Sequence, residues 1–221
     1  MIPAQEALER LRDGNRRFVE ENRGNGASVS QNRRRELTAV QEPFAIILGC
    51  SDSRVPAEIV FDQGLGDLFV IRVAGNIVAP SQVGSVEFAA DRFDTRLVVV
   101  LGHSQCGAIE ATLEELGRPS RDQSPYLHSI VDRIRPSIEP LLGTELAHHA
   151  DALLPLAVRA NIRASANHLR HGSEILEQLI QKQGLLVVGA EYSLDTGVVD
   201  FFDDPSGATG PKPHYARRST D

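Results

Sequence analysis

The chain is 221 residues long, with 41% hydrophobic and 24% charged residues and a formal net charge of −7. A chain of this length buries roughly 70% of its unfolded surface, so its core needs neither disulfides nor a structural metal. The negative balance argues against a broad electrostatic grip on nucleic acid or an anionic membrane, and no apolar run approaches the ~20 residues that span a bilayer. The opening "MIPAQEALERLRDGNRRF" carries charges where a signal peptide would have its apolar stretch, so a cytoplasmic location is expected. Two cysteines, Cys50 and Cys106, make no secreted disulfide framework.

In chain order, Ala4 to Glu21 reads as an amphipathic helix, with Leu8, Leu11, Phe18 and Val19 near helical spacing. The polar stretch "NRGNGASVSQNRRR" reads as a surface connection. The apolar runs "PFAIILG", "DLFVIRV" and "RLVVVLG", and a fourth, "LLVVGAEY", have strand length. Runs rich in Val, Ile and Leu without alternation suit strands covered on both faces. Between them, "VPAEIVFD", "VGSVEFAADRF" and "GAIEATLEELG" read as helices. Strands alternating with helices predict an α/β fold, with a mainly parallel four-stranded sheet flanked by helices. "EYSLDTGVVDFF" reads as a turn into an added edge strand. Gly117 to Asp151, with four prolines, reads as a helical insertion, and Arg159 to Gln183 as mostly helical with a break near Gly172. Residues 203–221, rich in Pro and Gly, read as a loose tail on a single domain spanning 1–221.

Chemistry concentrates at two strand ends. "ILGCSDSR" sets Cys50, Asp52 and Arg54 after the first strand, and "LGHSQCGA" sets His103 and Cys106 after the third. Ligands of open α/β sheets sit beyond the carboxyl ends of strands, so these residues converge if the strands are read correctly. Two thiolates, one imidazole and one carboxylate suit tetrahedral Zn²⁺. Each cysteine taken singly reads as a small buried hydrophobe, and a Cys50–Cys106 disulfide is the other alternative. Asp52 with Arg54 reads equally as an ordinary loop ion pair. His128, His148, His149, His168, His171 and His214 form no metal-ligand spacing.

"CSDSR" with "GHSQCG" resembles the β-class carbonic anhydrases. "GDLFVIRVAGN", "GSVEFA" and "VVGAEYSLDTG" match in context, so the resemblance covers roughly Ala4 to Val199. It implies a zinc lyase that interconverts CO2 and bicarbonate by attack of zinc-bound hydroxide. Cys50, His103 and Cys106 would bind Zn²⁺. Asp52 would be the fourth ligand or leave the metal for Arg54, which makes the pair a switch. Gln41 matches a glutamine that donates to substrate oxygen, often across a subunit interface. Phe69, Ala74 and Phe88 match the apolar lining of the CO2 pocket, and the Gly107 N–H a substrate contact. For Gln41 the rival is a solvent-facing loop amide, and for the three apolar residues it is core packing. The resemblance further implies a homodimer or homotetramer in which the N-terminal helix packs on a partner subunit. Some members bind inhibitory bicarbonate through Trp, Arg and Tyr. Arg72 and Tyr192 match two of these, but Ile47 stands at the Trp position. A closed structural zinc site, a COS- or CS2-directed enzyme and a two-cysteine redox protein are the rival readings.

Overall fold

The computed structural model describes residues 2–22, 31–117 and 124–205. Residues 23–30 of the polar connection, 118–123 of the insertion and 206–221 of the tail, with His214, lie outside them. Five strands form one sheet: β1 (Ala45–Gly49), β2 (Leu68–Arg72), β3 (Leu97–His103), β4 (Leu186–Tyr192) and β5 (Val199–Asp203). Their order is β2-β1-β3-β4-β5. The first four run parallel and β5 returns antiparallel on β4, as the apolar runs predicted.

β1 and β3 are buried throughout, whereas β2 and β5, at the two edges, are mostly half-buried. Side chains alternate between faces along each strand. Ile46, Leu48, Val98, Val100 and Val187 face one core, shared with α4 (Pro80–Arg92), α6 (Pro125–Leu142), α7 (Ala150–His171) and α8 (Glu174–Gln183). Ala45, Ile47, Val99, Leu101, Val188 and Ala190 face the other, shared with α1 (Ala4–Val19) and α3 (Ala57–Val60). A short α2 (Gln31–Glu36) precedes the sheet, and α5 (Gly107–Gly117) follows β3.

The apolar stripe of α1 is used inside its own chain. Leu8 and Leu11 are fully buried, and a Cβ on Gly14 would lie 1.8 Å from the Phe61 carbonyl. Asn15 locks the seat, its Nδ2 donating to the carbonyls of Val60 (3.1 Å) and Gly197 (2.9 Å). The Val199 N–H returns a bond to Asn15 Oδ1 at 2.8 Å. Any contact of this helix with a partner would therefore use its remaining, polar face.

The helical region after α5 differs in its bounds from expectation. α7 starts nine residues before Arg159 and contains Pro155, while α6 contains Pro136 and Pro140. Proline costs one backbone bond there, but buried Ala157, Val158, Ile162 and Ala166 keep helical spacing and pack in the core with the sheet. The break at Gly172 is present, with Ser173 capping α8 by accepting from the Leu176 N–H at 3.1 Å.

The order of strands positions the site. From β1 the chain crosses to β2 on one side, then to β3 on the other side of β1. The crevice of an open α/β sheet lies at that switch, beyond the carboxyl ends of β1 and β3. Cys50 directly follows β1, and His103 is the last residue of β3.

Candidate metal centre

Three predicted ligands converge. One ligand atom each from Cys50, His103 and Cys106 lies within 4.8 Å of the other two, and all three residues are buried. The sulfurs are 4.0 Å apart and both thiols are free. Two sulfurs at about 2.3 Å on a tetrahedral ion stand about 3.8 Å apart, so the spacing fits zinc. His103 is already oriented. Its Nδ1 donates to the Ser104 carbonyl at 2.9 Å, which leaves Nε2 as the lone-pair nitrogen. That Nε2 is buried with no hydrogen-bond partner. A buried lone pair aimed at two sulfurs is satisfied by a cation, so these residues fit a metal ion.

The sulfur pair is electrostatically uneven. The Cys50 thiol is drawn down to about 4, chiefly by the hydrogen bond from Cys106, against the opposing effect of burial. His103 and the backbone N–H of Gly75, 3.4 Å from the Cys50 sulfur, assist. Cys106 is pushed far up by its bond to Cys50, by burial and by the adjacent thiolate. The pair therefore loses one proton readily, and the second leaves only against a nearby cation. Burial lowers the His103 imidazole, but the Cys50 sulfur, the Ser104 carbonyl and Asp52 outweigh it and raise it. Metal binding there must displace protons.

Asp52 stands beside this cluster rather than in it. Arg54 grips its carboxylate through Nε to Oδ1 (2.9 Å) and Nη2 to Oδ2 (2.6 Å), and the Arg54 backbone N–H adds a bond at 3.0 Å. These bonds hold the Asp52 carboxyl well below the usual range. Asp52 Oδ2 is 3.8 Å from His103 Nε2.

The other predicted residues fall into two groups. Ala74 lies in a 3₁₀ turn, Ala74–Asn76, whose Gly75 touches Cys50, and Gly107 opens α5 directly after Cys106. A Cβ on Gly107 would meet nothing within 4 Å. Gln41, Phe69 and Phe88 lie apart from the cluster. Phe69 pairs with Ile46, four residues below Cys50, or about 13 Å along the strand. Its ring contacts those of Phe88 and Phe93, with centroids 6.2 and 6.0 Å away. Phe88 is 54% exposed. Gln41, before β1, lines a recess of about 860 Å³ with Val40, Leu65 and Phe93. Within one chain this group is at the β2 edge, not at the metal cluster.

Arg72 has structural work. Its Nε donates to the Cys50 carbonyl at 3.0 Å and its Nη2 to the Asp52 carbonyl at 2.5 Å, bracing the loop that carries both. Ile47 and Tyr192 belong to the core on the α1 side, where burial raises Tyr192. Sequence reasoning missed Asn161, which donates to the Gly75 carbonyl at 2.8 Å, and the left-handed backbone of Gly75, Asn76 and Gln105. The legible signal for Asn161 was one amide among Ala157, Val158, Ile162 and Ala166, on the buried face of a helix. No helix among the described residues is long and apolar enough to cross a membrane.

Comparisons with known proteins agree with this geometry. The carbonic anhydrase family profile matches residues 45–199. Carbonic anhydrase 2 of Mycobacterium tuberculosis is 38% identical over 193 residues, 86% of this chain and 89% of the relative. A carbonic anhydrase of Mycolicibacterium smegmatis is 39% identical over 206 residues, 88% of this chain and 91% of the relative. Among solved structures, the β-carbonic anhydrase CcaA superposes with a TM-score of 0.72 at 26% identity, over 89% of this chain and 95% of that one. A tetrameric β-carbonic anhydrase of Sordaria macrospora shares the fold, with a TM-score of 0.67 at 23% identity over 76% and 85%. With its family profile, its close relatives and its sheet-end Cys-His-Cys cluster in agreement, this chain belongs to the β-carbonic anhydrases.

Proposed function

We propose that this carbonic anhydrase hydrates CO2 reversibly to bicarbonate and a proton, with zinc held by Cys50, His103 and Cys106. The observation that carries the reading is the buried, partnerless Nε2 of His103 facing two free sulfurs while Arg54 holds Asp52 to one side. When bound, zinc is a Lewis acid that makes water nucleophilic near neutral pH. Asp52, ionised and fixed by Arg54, accepts a hydrogen bond from the attacking water and sets its orientation. The same grip would keep Asp52 from acting as a further ligand beside Cys50, His103 and Cys106, which favours a catalytic centre over a closed structural one. Arg72 braces the peptides on either side. Ala74 supplies an apolar wall beside the cluster, and the Gly107 N–H, at the start of α5, receives substrate oxygen.

Gln41, Phe69 and Phe88 complete the pocket of a neighbouring subunit. Their placement at the β2 edge, away from their own cluster, supports a shared site and hence a homodimer or homotetramer. Phe88, half-exposed in one chain, would be covered there. The cytoplasm is the compartment that suits two free, buried thiols.

The test is metal analysis together with stopped-flow CO2 hydration. One zinc per chain is expected, with metal and activity both lost in His103→Ala and Cys106→Ser. Full activity in a chain with a Cys50–Cys106 disulfide would overturn the reading.

A further inference from the structure

We infer that Asn161 is a positioning residue for the metal centre. By fixing the Gly75 carbonyl, it aims the Gly75 N–H at the Cys50 sulfur. The inference rests on the reading of Cys50, His103 and Cys106 as zinc ligands.

Asn161 lies on α7, 2% exposed, and its Nδ2 reaches the Gly75 carbonyl at 2.8 Å. The N–H of that same glycine points to Cys50 Sγ at 3.4 Å. Gly75 has φ +67 and ψ 21, and Asn76 follows at φ +43. A glycine adopts many conformations with little difference in energy, so its own preference does not hold this one. A side chain is disfavoured there by the left-handed backbone and by crowding, since a Cβ would lie 2.9 Å from Ile134 Cδ1 and 3.1 Å from Ala108 Cβ. Crowding does not choose which way the peptides turn. The bond from Asn161 does so together with the bond from the Asn76 N–H to the Val73 carbonyl at 3.1 Å, because the two anchor the peptide after Gly75 from both ends and thereby orient the one before it. The amide side chain thus acts on the sulfur through one glycine.

The electrostatic consequence has a definite sign. An N–H aimed at a thiolate stabilises its lone pairs and weakens their donation to a metal. Partners of this kind typically change metal affinity by about 10–100-fold. A residue that only satisfied a buried carbonyl would cost stability when removed but would leave the electronic state of the sulfur untouched.

The experiment uses Co²⁺ as the metal probe, added to metal-free full-length protein. The sulfur-to-cobalt charge-transfer band and the affinity against a competing chelator are read in wild type, Asn161→Leu, Asn161→Ala and Asn161→Gln. The apolar variants are expected to move the band to longer wavelength and to weaken Co²⁺ binding about tenfold, the loss of a pre-set Cys50 position outweighing the stronger donation of its sulfur. Asn161→Gln, which keeps an amide donor, is expected to lie between them and wild type. Asn161→Ala serves where Asn161→Leu does not fold. An unshifted band in a folded apolar variant overturns the inference, whatever happens to stability. A wild-type protein without any thiolate–cobalt band overturns the zinc reading instead, so the two failures are distinguishable.

Discussion

The Asp52–Arg54 pair makes the sharpest prediction. Arg54→Ala removes two of the three donors on the Asp52 carboxylate, those at 2.9 and 2.6 Å, and leaves the backbone N–H at 3.0 Å. Arg72 still braces the loop through the Cys50 and Asp52 carbonyls, so the backbone should not move. The Arg54 side chain is 52% exposed, and water screens the pair, so its loss is worth far less than a buried ion pair. A bias of about three- to tenfold toward Asp52 turning onto the metal position is the reasonable scale for an exposed but two-pronged contact. Asp52 itself stays ionised near neutrality, because its carboxyl lies below the usual range with Arg54 present and returns only toward that range without it. The pH dependence therefore comes from the competition between Asp52 and an ionising water, which alkaline conditions tip toward water. A tenfold bias then moves the midpoint of the rate–pH profile upward by up to about one unit. Stopped-flow CO2 hydration from pH 6 to 9, at matched zinc content, is the assay. Arg54→Ala should keep its zinc and lose most activity on the acid side. Arg54→Lys should recover part of it, since an ammonium lacks the planar fork. Profiles identical to wild type in both variants would refute the switch and leave Arg54 a loop residue.

Three further outcomes follow from other parts of the structure. Mixed oligomers of Gln41→Ala chains with Cys50→Ser chains should regain some CO2 hydration, and verified heterodimers without any rescue would argue against a shared site. Bicarbonate should inhibit in a simple, product-like manner, because Ile47 is buried in the core and Arg72 is committed to two backbone carbonyls. Steep cooperative inhibition abolished by Arg72→Ala would show the reverse. In metal-free protein, the depressed Cys50 thiol contributes stability that is complete above the unfolded thiol value of 9.0 and is lost as pH falls through about 4. The raised Cys106 thiol acts in the opposite sense above pH 9. Melting temperature should thus climb from pH 5 to about 6.5, above which the raised His103 imidazole opposes the rise, and the slope below 6.5 should flatten in Cys50→Ser.

The sheet was readable because its strands are short apolar runs without alternation, the pattern of a layer covered on both sides. Cys50 and His103 were placed at strand ends by those runs alone, and the topology then had to bring them together. Boundaries in the α6–α7 region were not readable. Pro136, Pro140 and Pro155 argue locally for breaks, whereas packing of Ile134, Ile138, Val158 and Ile162 against the sheet overrides them. Asp52 illustrates another limit, since its motif allows either partner and only side-chain geometry reveals the two-pronged bond to Arg54. Asn161 acts through a carbonyl 86 positions away, and no local pattern encodes such a distant acceptor.

The cluster also has a consequence for the chain as a polymer. Cys50 and Cys106 are neighbours across two adjacent strands but are separated by 56 positions of sequence. An ion gripping both closes that loop as a cross-link would. The chain-entropy relation for a loop of this size gives about 4 kcal/mol at 25 °C, taken from the freedom of the unfolded state. A metal held there would thus be a clasp on the polypeptide as well as a reagent. Replacing Cys50, His103 or Cys106 would then open the clasp and stop the chemistry together, and a fall in protein abundance could pass for a fall in turnover. Arg54→Ala touches the chemistry while leaving such a clasp shut, so it should lose most of its activity at acid pH yet melt close to wild type.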